Sequence, residues 1–312
     1  MEDIAGYVLN NNSTITMGQN SKKYEYDYDD YEQDGKDAST MIEEILSDSE
    51  LSGLNEIVIG YWGDPWDESI QPLIDGIVES EAVKKQGKLS HIKSFFIGDM
   101  GMEDCEVSWI TQGNYSGLWA AMPNLLKFGV RGSEDLEFGE IVHENLREFD
   151  IICGGLGKNI IASVRDAKLP ALERLTLYIG IMRYGFDGEI EDIKDFLDNS
   201  DFPNLKHLGI EDSEIQDEIT DAVFNSKYIS QIESLSLANG TITDKGGQVI
   251  LDKLKDYPNI KELNLYYNYL SDDMLHELKK LGQDLNVKID LSEQQEIEEF
   301  HGKPWLIPML TE

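Results

Sequence analysis

Near its C-terminal end the chain reads Ile260-Lys-Glu-Leu263-Asn-Leu265-Tyr-Tyr-Asn268-Tyr-Leu270, which spells the leucine-rich pattern L-x-x-L-x-L-x-x-N-x-L. The frame recurs at Ile232-Leu235-Leu237, Leu205-Leu208-Ile210 and Leu172-Leu175-Leu177. Looser copies continue upstream at Leu146-Phe149-Ile151, Leu125-Phe128-Val130, Ile92-Phe95-Ile97 and Leu54-Ile57-Ile59, and a partial one follows at Val287-Lys-Ile289-Asp-Leu291. Pro123-Asn-Leu, Pro203-Asn-Leu and Pro258-Asn-Ile introduce three of the copies, with Pro170-Ala-Leu a near match. A strand–helix unit of this size cannot bury its own apolar face, so the units must stack.

The alternating L-x-L core predicts a short strand with one face inward. Between strands the period becomes helical, as in Ile70, Leu73, Ile74, Ile77 and Val78, or Met274, Leu275, Leu278 and Leu281. Asp64-Pro65 and Ser271-Asp272-Asp273 are expected helix starts. The expected fold is α/β: a right-handed leucine-rich-repeat solenoid (horseshoe). A parallel concave sheet of about nine strands is centred near residues 57, 95, 128, 149, 175, 208, 235, 263 and 289, with helices on the convex side. Residues 1–50 are expected as an acidic N-terminal arm and cap, with a strand near 23–28 and a helix near 38–48; an acidic disordered arm is the competing reading. The repeats then occupy 51–292. Residues 293–312 form a C-terminal cap or tail, in which Pro304–Leu310 folds back rather than serving as a docking peptide.

Sixty-one acidic residues against 26 basic ones leave a formal net charge of −35. That argues against nucleic acid, whose binding needs Lys and Arg to displace counterions, and against anionic membrane, and it favours a basic protein partner. No apolar run approaches the ~18 residues of a membrane span. Two cysteines without C-x-x-C spacing, and an acidic start unlike a signal peptide, point to a reducing cytoplasm.

With these motifs in place, the chain resembles a group of bacterial cytosolic leucine-rich-repeat proteins with ribonuclease-inhibitor-like repeats, over roughly Tyr24 to Glu293. The stretches that carry the resemblance are Gly98–Ile110, Leu169–Leu175, Phe202-Pro-Asn204, Ser213–Ile219 and Val287–Gln294. It implies a non-enzymatic repeat protein and supplies no functional residues.

Chemical motifs fail on inspection. Cys153-Gly-Gly-Leu-Gly-Lys158-Asn159 lacks the first glycine and the hydroxyl of a phosphate loop, and reads better as a tight turn needing positive φ. Asp30-x-Glu32-x-Asp34-Gly35 opens like a calcium loop, but Met41 stands where its bidentate acid belongs. Asp99, Glu103, Asp104 and Glu106 surround Cys105 as a solvated acidic knot, with a metal as the alternative. The histidines show no H-E-x-x-H spacing, and no G-x-S-x-G elbow exists. No catalytic, cofactor or metal residue is assigned.

A partner is expected on the concave sheet, where strand alternation exposes Phe96, Lys127, Arg131, Arg174, Tyr178, His207 and Tyr266. Against this, Lys127, Glu148 and Arg174 fall in one column on consecutive strands and could simply pair across the sheet. The function read from this is an adaptor or inhibitor gripping a protein. The alternative is a cryptic enzyme or small-molecule binder using loops 98–121 and 179–190.

Overall fold

The computed structural model describes residues 16–310, so the expectation for the arm over residues 1–50 lies partly outside the described residues. Ten strands form one sheet in chain order, every neighbouring pair parallel. They are β1 (Ser21–Tyr24), β2 (Glu56–Ile59), β3 (Ser94–Ile97), β4 (Lys127–Arg131), β5 (Glu148–Ile152), β6 (Arg174–Gly180), β7 (His207–Ser213), β8 (Ser234–Ser236), β9 (Glu262–Asn264) and β10 (Lys288–Asp290). All nine expected strand centres fall within β2–β10, and β1 adds the N-terminal edge. A separate antiparallel hairpin, β11 (Glu298–Phe300) with β12 (Lys303–Trp305), follows.

The register puts Ile57, Phe95, Phe128, Phe149, Leu175, Leu208, Leu235, Leu263 and Ile289 in one continuous column. This column and its neighbour two residues on form the main apolar core, together with buried helix residues such as Ile74, Ile161, Phe196, Ile219, Ile250 and Leu278. The helices therefore cover one face of the sheet. They are α1 (Tyr28–Asp34), α2 (Ala38–Ser47), α3 (Gln71–Val78), α4 (Leu118–Ala121), α5 (Lys158–Arg165), α6 (Ile190–Asn199), α7 (Gln216–Phe224), α8 (Asp244–Lys253) and α9 (Asp272–Leu285). We call the opposite side of the sheet the outer face.

Polar punctuation has a structural role. The Pro-Asn asparagines reach back one repeat: Asn124 Nδ2 donates to Ser90 O, Asn204 Nδ2 to Pro170 O, and Asn259 Nδ2 to Ile229 O and Ile232 O. The consensus Asn268 is fully buried. Its Oδ1 accepts from Ile242 N, and its Nδ2 faces the carbonyls of Leu237, Leu265 and Tyr266.

Several local expectations are corrected. The N-terminal strand is Ser21–Tyr24, because Asp27 caps α1 in a reciprocal capping box with Asp30 and turns Tyr28 out to solvent. That helix also replaces the calcium-loop look-alike, with Asp30 paired to Lys36. Asp64-Pro65 does not start a helix; α3 begins at Gln71, with Pro72 in its first turn. Around Cys153 the glycines serve close backbone approach rather than positive φ. A Cβ at Gly155 would meet Tyr184 O at 2.3 Å, and one at Gly180 would meet Gly154 O at 1.8 Å. In this region it is Gly180 and Gly185, across the contact, that turn left-handed, at φ 71° and 117°.

The Asn268 side chain gives the first testable consequence. Asn268→Ala leaves buried backbone groups of two repeats unpaired, so it should cost about 3 kcal/mol or more of unfolding free energy. Asn204→Ala, which loses one exposed bond, should cost about 1 kcal/mol. Urea unfolding of the two variants checks the ranking.

Candidate functional site

The outer face is built from three columns. The first runs Glu56, Ser94, Lys127, Glu148, Arg174, His207, Ser234 and Glu262; the second runs Val58, Phe96, Gly129, Asp150, Thr176, Gly209, Ser236 and Asn264. Arg131 and Ile152 pair in the third column, as do Tyr178 and Glu211. This face carries no helix layer, yet much of it is buried.

Its covering comes from irregular chain. Val58, Phe96, Ile152 and Tyr178 form a second apolar cluster with Val107, from the insertion after β3, and with Leu310, from the chain beyond the hairpin. The segment Leu306–Leu310 crosses the C-terminal ends of three strands in succession. Tyr269 Oη donates to Ile307 O at 2.9 Å and accepts from Ile307 N at 3.0 Å. Met309 N donates to Asn239 O at 2.8 Å, and Leu310 N to Asp212 Oδ1 at 2.7 Å. Asp212 and Asn239 have φ of 56° and 63°, a left-handed turn that short polar side chains tolerate. Burial pushes the fully buried Asp212 carboxyl well above its usual range, against the pull of the Leu310 amide.

This strap is held marginally. Seating Leu310 contributes about 2–3 kcal/mol, and each of the four hydrogen bonds about 1 kcal/mol net. Ordering five backbone residues costs roughly 1–2 kcal/mol each. The two sides agree within a few kcal/mol. The exposed side chains of Trp305 and Met309 add little.

Beside the strap runs a mixed-charge strip. Lys127 Nζ lies 3.3 Å from Glu148 Oε2, and Arg174 Nε lies 3.9 Å from Asp150 Oδ1. The pairing across the sheet is therefore real, though Glu148 makes no well-formed hydrogen bond and Asp150 Oδ2 none. Burial, partly offset by Lys127 and reinforced by Asp150, pushes the Glu148 carboxyl from its ordinary 4.5 up to about 7. Burial raises Asp150 and Glu211 as well. His207 bonds Ser234 Oγ through Nδ1, and burial with the neighbouring Arg174 holds its pKa well below the usual value, so the imidazole is neutral at pH 7. Asn239 Nδ2 donates to both Tyr178 Oη and Glu211 Oε2.

The expected partner residues thus divide. Phe96, Arg131 and Tyr178 are corrected: at 0%, 2% and 8% exposure they are buried and not open anchors. Lys127, Arg174, His207 and Tyr266 remain partly exposed. Strand alternation gives the direction of a side chain, and it is silent on what covers that side chain. The residues missed were Val107, Asp212, Asn239, Tyr269 and Leu310; the apolar run Pro304–Leu310 was their one sequence signal. The C-terminal segment does fold back, but across the outer face rather than over the last repeat.

Elsewhere, Asp99 is buried and pairs with Lys23 at 3.3 Å, while Glu106 and Asp104 stay close enough to Cys105 to raise its pKa further. Among the described residues no three His, Cys, Asp or Glu side chains converge as metal ligands. Cys105 and Cys153 are buried and unbridged, and burial above all pushes both thiols up to about 12. A groove of about 700 Å³ collects residues of both loops marked in the sequence, Gln112, Asn114, Tyr184 and Asp187, with Glu134 and Asn159. No helix among the described residues is long and apolar enough to cross a membrane.

No family model matches the chain, and no curated protein shows significant similarity. Among solved structures, a crystal structure of a protein from Bacteroides fragilis is similar over 95% of this chain and 79% of that one, with 35% sequence identity and a TM-score of 0.84.

Glu148 yields a pH prediction. Its folded-state pKa is raised, so the folded chain holds a proton that the unfolded chain has lost, and stability falls as pH rises from about 4.5 to about 7. Glu148→Gln removes that loss. The variant should match the parent near pH 4 and exceed it at pH 8 by at most about 3 kcal/mol, measured by urea unfolding at both pH values.

Proposed function

This chain belongs to the same family as the Bacteroides fragilis protein, and from that premise we propose that it is a non-enzymatic protein-binding module, an adaptor or inhibitor that grips a protein through the outer sheet face. The observation that carries the reading is that this face already holds a stretch of irregular polypeptide, bonded through its backbone and anchored by one leucine. The recurring L-x-x-L-x-L frame, the ten parallel strands in chain order and the helices on one face support a right-handed leucine-rich-repeat horseshoe of the ribonuclease-inhibitor-like kind. In that architecture the outer face is the concave one. Lys127, Arg174, His207 and Tyr266 supply polar and aromatic contacts beside the strap, and the net charge of −35 favours a basic partner, with neither nucleic acid nor membrane involved. The two unbridged cysteines support a cytoplasmic setting.

The second reading, a small-molecule binder or cryptic enzyme, rests on the groove where loops 98–121 and 179–190 meet. One experiment separates the two. A photo-crosslinking residue placed at Tyr266 in the native cell should capture a protein at the outer face, while one at Lys280, on helix α9, should not. No protein adduct at Tyr266, together with a metabolite co-purifying in stoichiometric amount, would move the function to the groove.

A further inference from the structure

The strap also indicates which partner segment the face accepts. Tyr269, Asn239 and Asp212 sit at the C-terminal ends of β9, β8 and β7, and each engages a backbone group of the crossing chain. Backbone contacts carry no side-chain information, so the same three groups would hold any extended segment. Selection falls to one place: Leu310, bonded through its N to Asp212 on β7, is buried in an apolar cluster that includes Tyr178 on the adjoining β6 and Ile152 on β5. Tyr178 presents its ring there, with its hydroxyl tied to Asn239 Nδ2 at 3.0 Å. A charged side chain would be desolvated in that apolar cluster, while a leucine-sized one fits. Between the handles and the cluster, Met309 faces solvent and is not read.

We propose that the outer face is a receptor for an extended peptide segment bearing one large aliphatic side chain, and that residues 306–310 are its resident, displaceable occupant. The inference rests on the protein-binding reading of the same face and adds its regulation: a partner's segment competes with the strap for Asp212, Asn239, Tyr269 and the apolar cluster. Because the strap is tethered, its effective concentration is high, and a segment supplied in trans binds the intact chain more weakly than a chain without the strap.

The test uses a chain ending after Pro304 and a dye-labelled synthetic peptide of residues 305–312, followed by fluorescence anisotropy. The shortened chain should bind the peptide saturably at one site, and the intact chain at least tenfold more weakly. The peptide carrying Leu310→Ala should lose at least tenfold in affinity for the shortened chain. A shortened chain that melts cooperatively yet leaves the peptide unbound, or that binds the Leu310→Ala peptide equally well, overturns the inference. Should the shortened chain fail to fold, the intact chain carrying Leu310→Ala must bind the unaltered peptide more tightly than the parent does; equal affinity overturns it too. A protein cross-linked at Tyr266 that binds intact and shortened chains alike would sink this inference and leave the protein-binding reading standing. Peptide binding with no cross-linked partner would do the reverse.

Discussion

Each strand in this sheet can satisfy its backbone only through the repeats on either side of it. Along the entry to the sheet, Leu126 N donates to Lys93 O, Arg147 N to Leu126 O, Glu173 N to Arg147 O, Lys206 N to Glu173 O, and Glu233 N to Lys206 O. The chain of bonds continues through Lys261 to Lys288. A buried amide or carbonyl left unpaired costs as much as a lost hydrogen bond or more, so no repeat is stable by itself and the stack cannot simply stop. The asparagines of the Pro-Asn lead-ins and the buried Asn268 extend the same dependence to the turns, where backbone groups of adjacent repeats would otherwise go unmet.

That constraint shapes both faces. On the helix side, the repeats close a single core in which Phe95, Phe128 and Phe149 stack in one column, with Trp119 set edge-on against Phe128 and Phe149. On the outer side the strand backbones are engaged with neighbouring strands, so side chains, together with the Asn239 carbonyl that receives Met309 N, determine what happens there. Val58, Phe96, Ile152 and Tyr178 are too apolar to face water, and they are buried in one cluster with Val107 of the insertion and Leu310 of the strap. Where the cover stops, charges take over, and Glu148, Asp150 and Glu211 are buried deeply enough that their carboxyls hold protons more tightly than in water.

The strap and the strip differ in kind. The strip is part of the sheet, its pairs set by the register that aligns Lys127 with Glu148 and Glu148 with Arg174. The strap is a short length of chain whose attachment roughly offsets its ordering. One is a fixed feature of the surface, and the other is an occupant.

The sequence by itself determined the parts of this protein that repeat. Nine strand positions, the inward columns, the helix-side core and the pairing of Lys127 with Glu148 were legible, because each follows from a local period of two or of about 3.6 copied along the chain. The asparagine lead-ins were legible as punctuation, though not as bonds. Only the tertiary structure decided the fate of the outer face: Phe96, Arg131 and Tyr178 point where alternation predicts, yet they are buried. Leu310 joins the apolar cluster that holds Ile152, more than 150 residues away in the chain, and the bond from Leu310 N to Asp212 spans 98 positions. No period relates such residues, and their meeting depends on the whole stack first bringing strand ends into line. Direction is a local property of the backbone, whereas burial is a property of everything that packs against it.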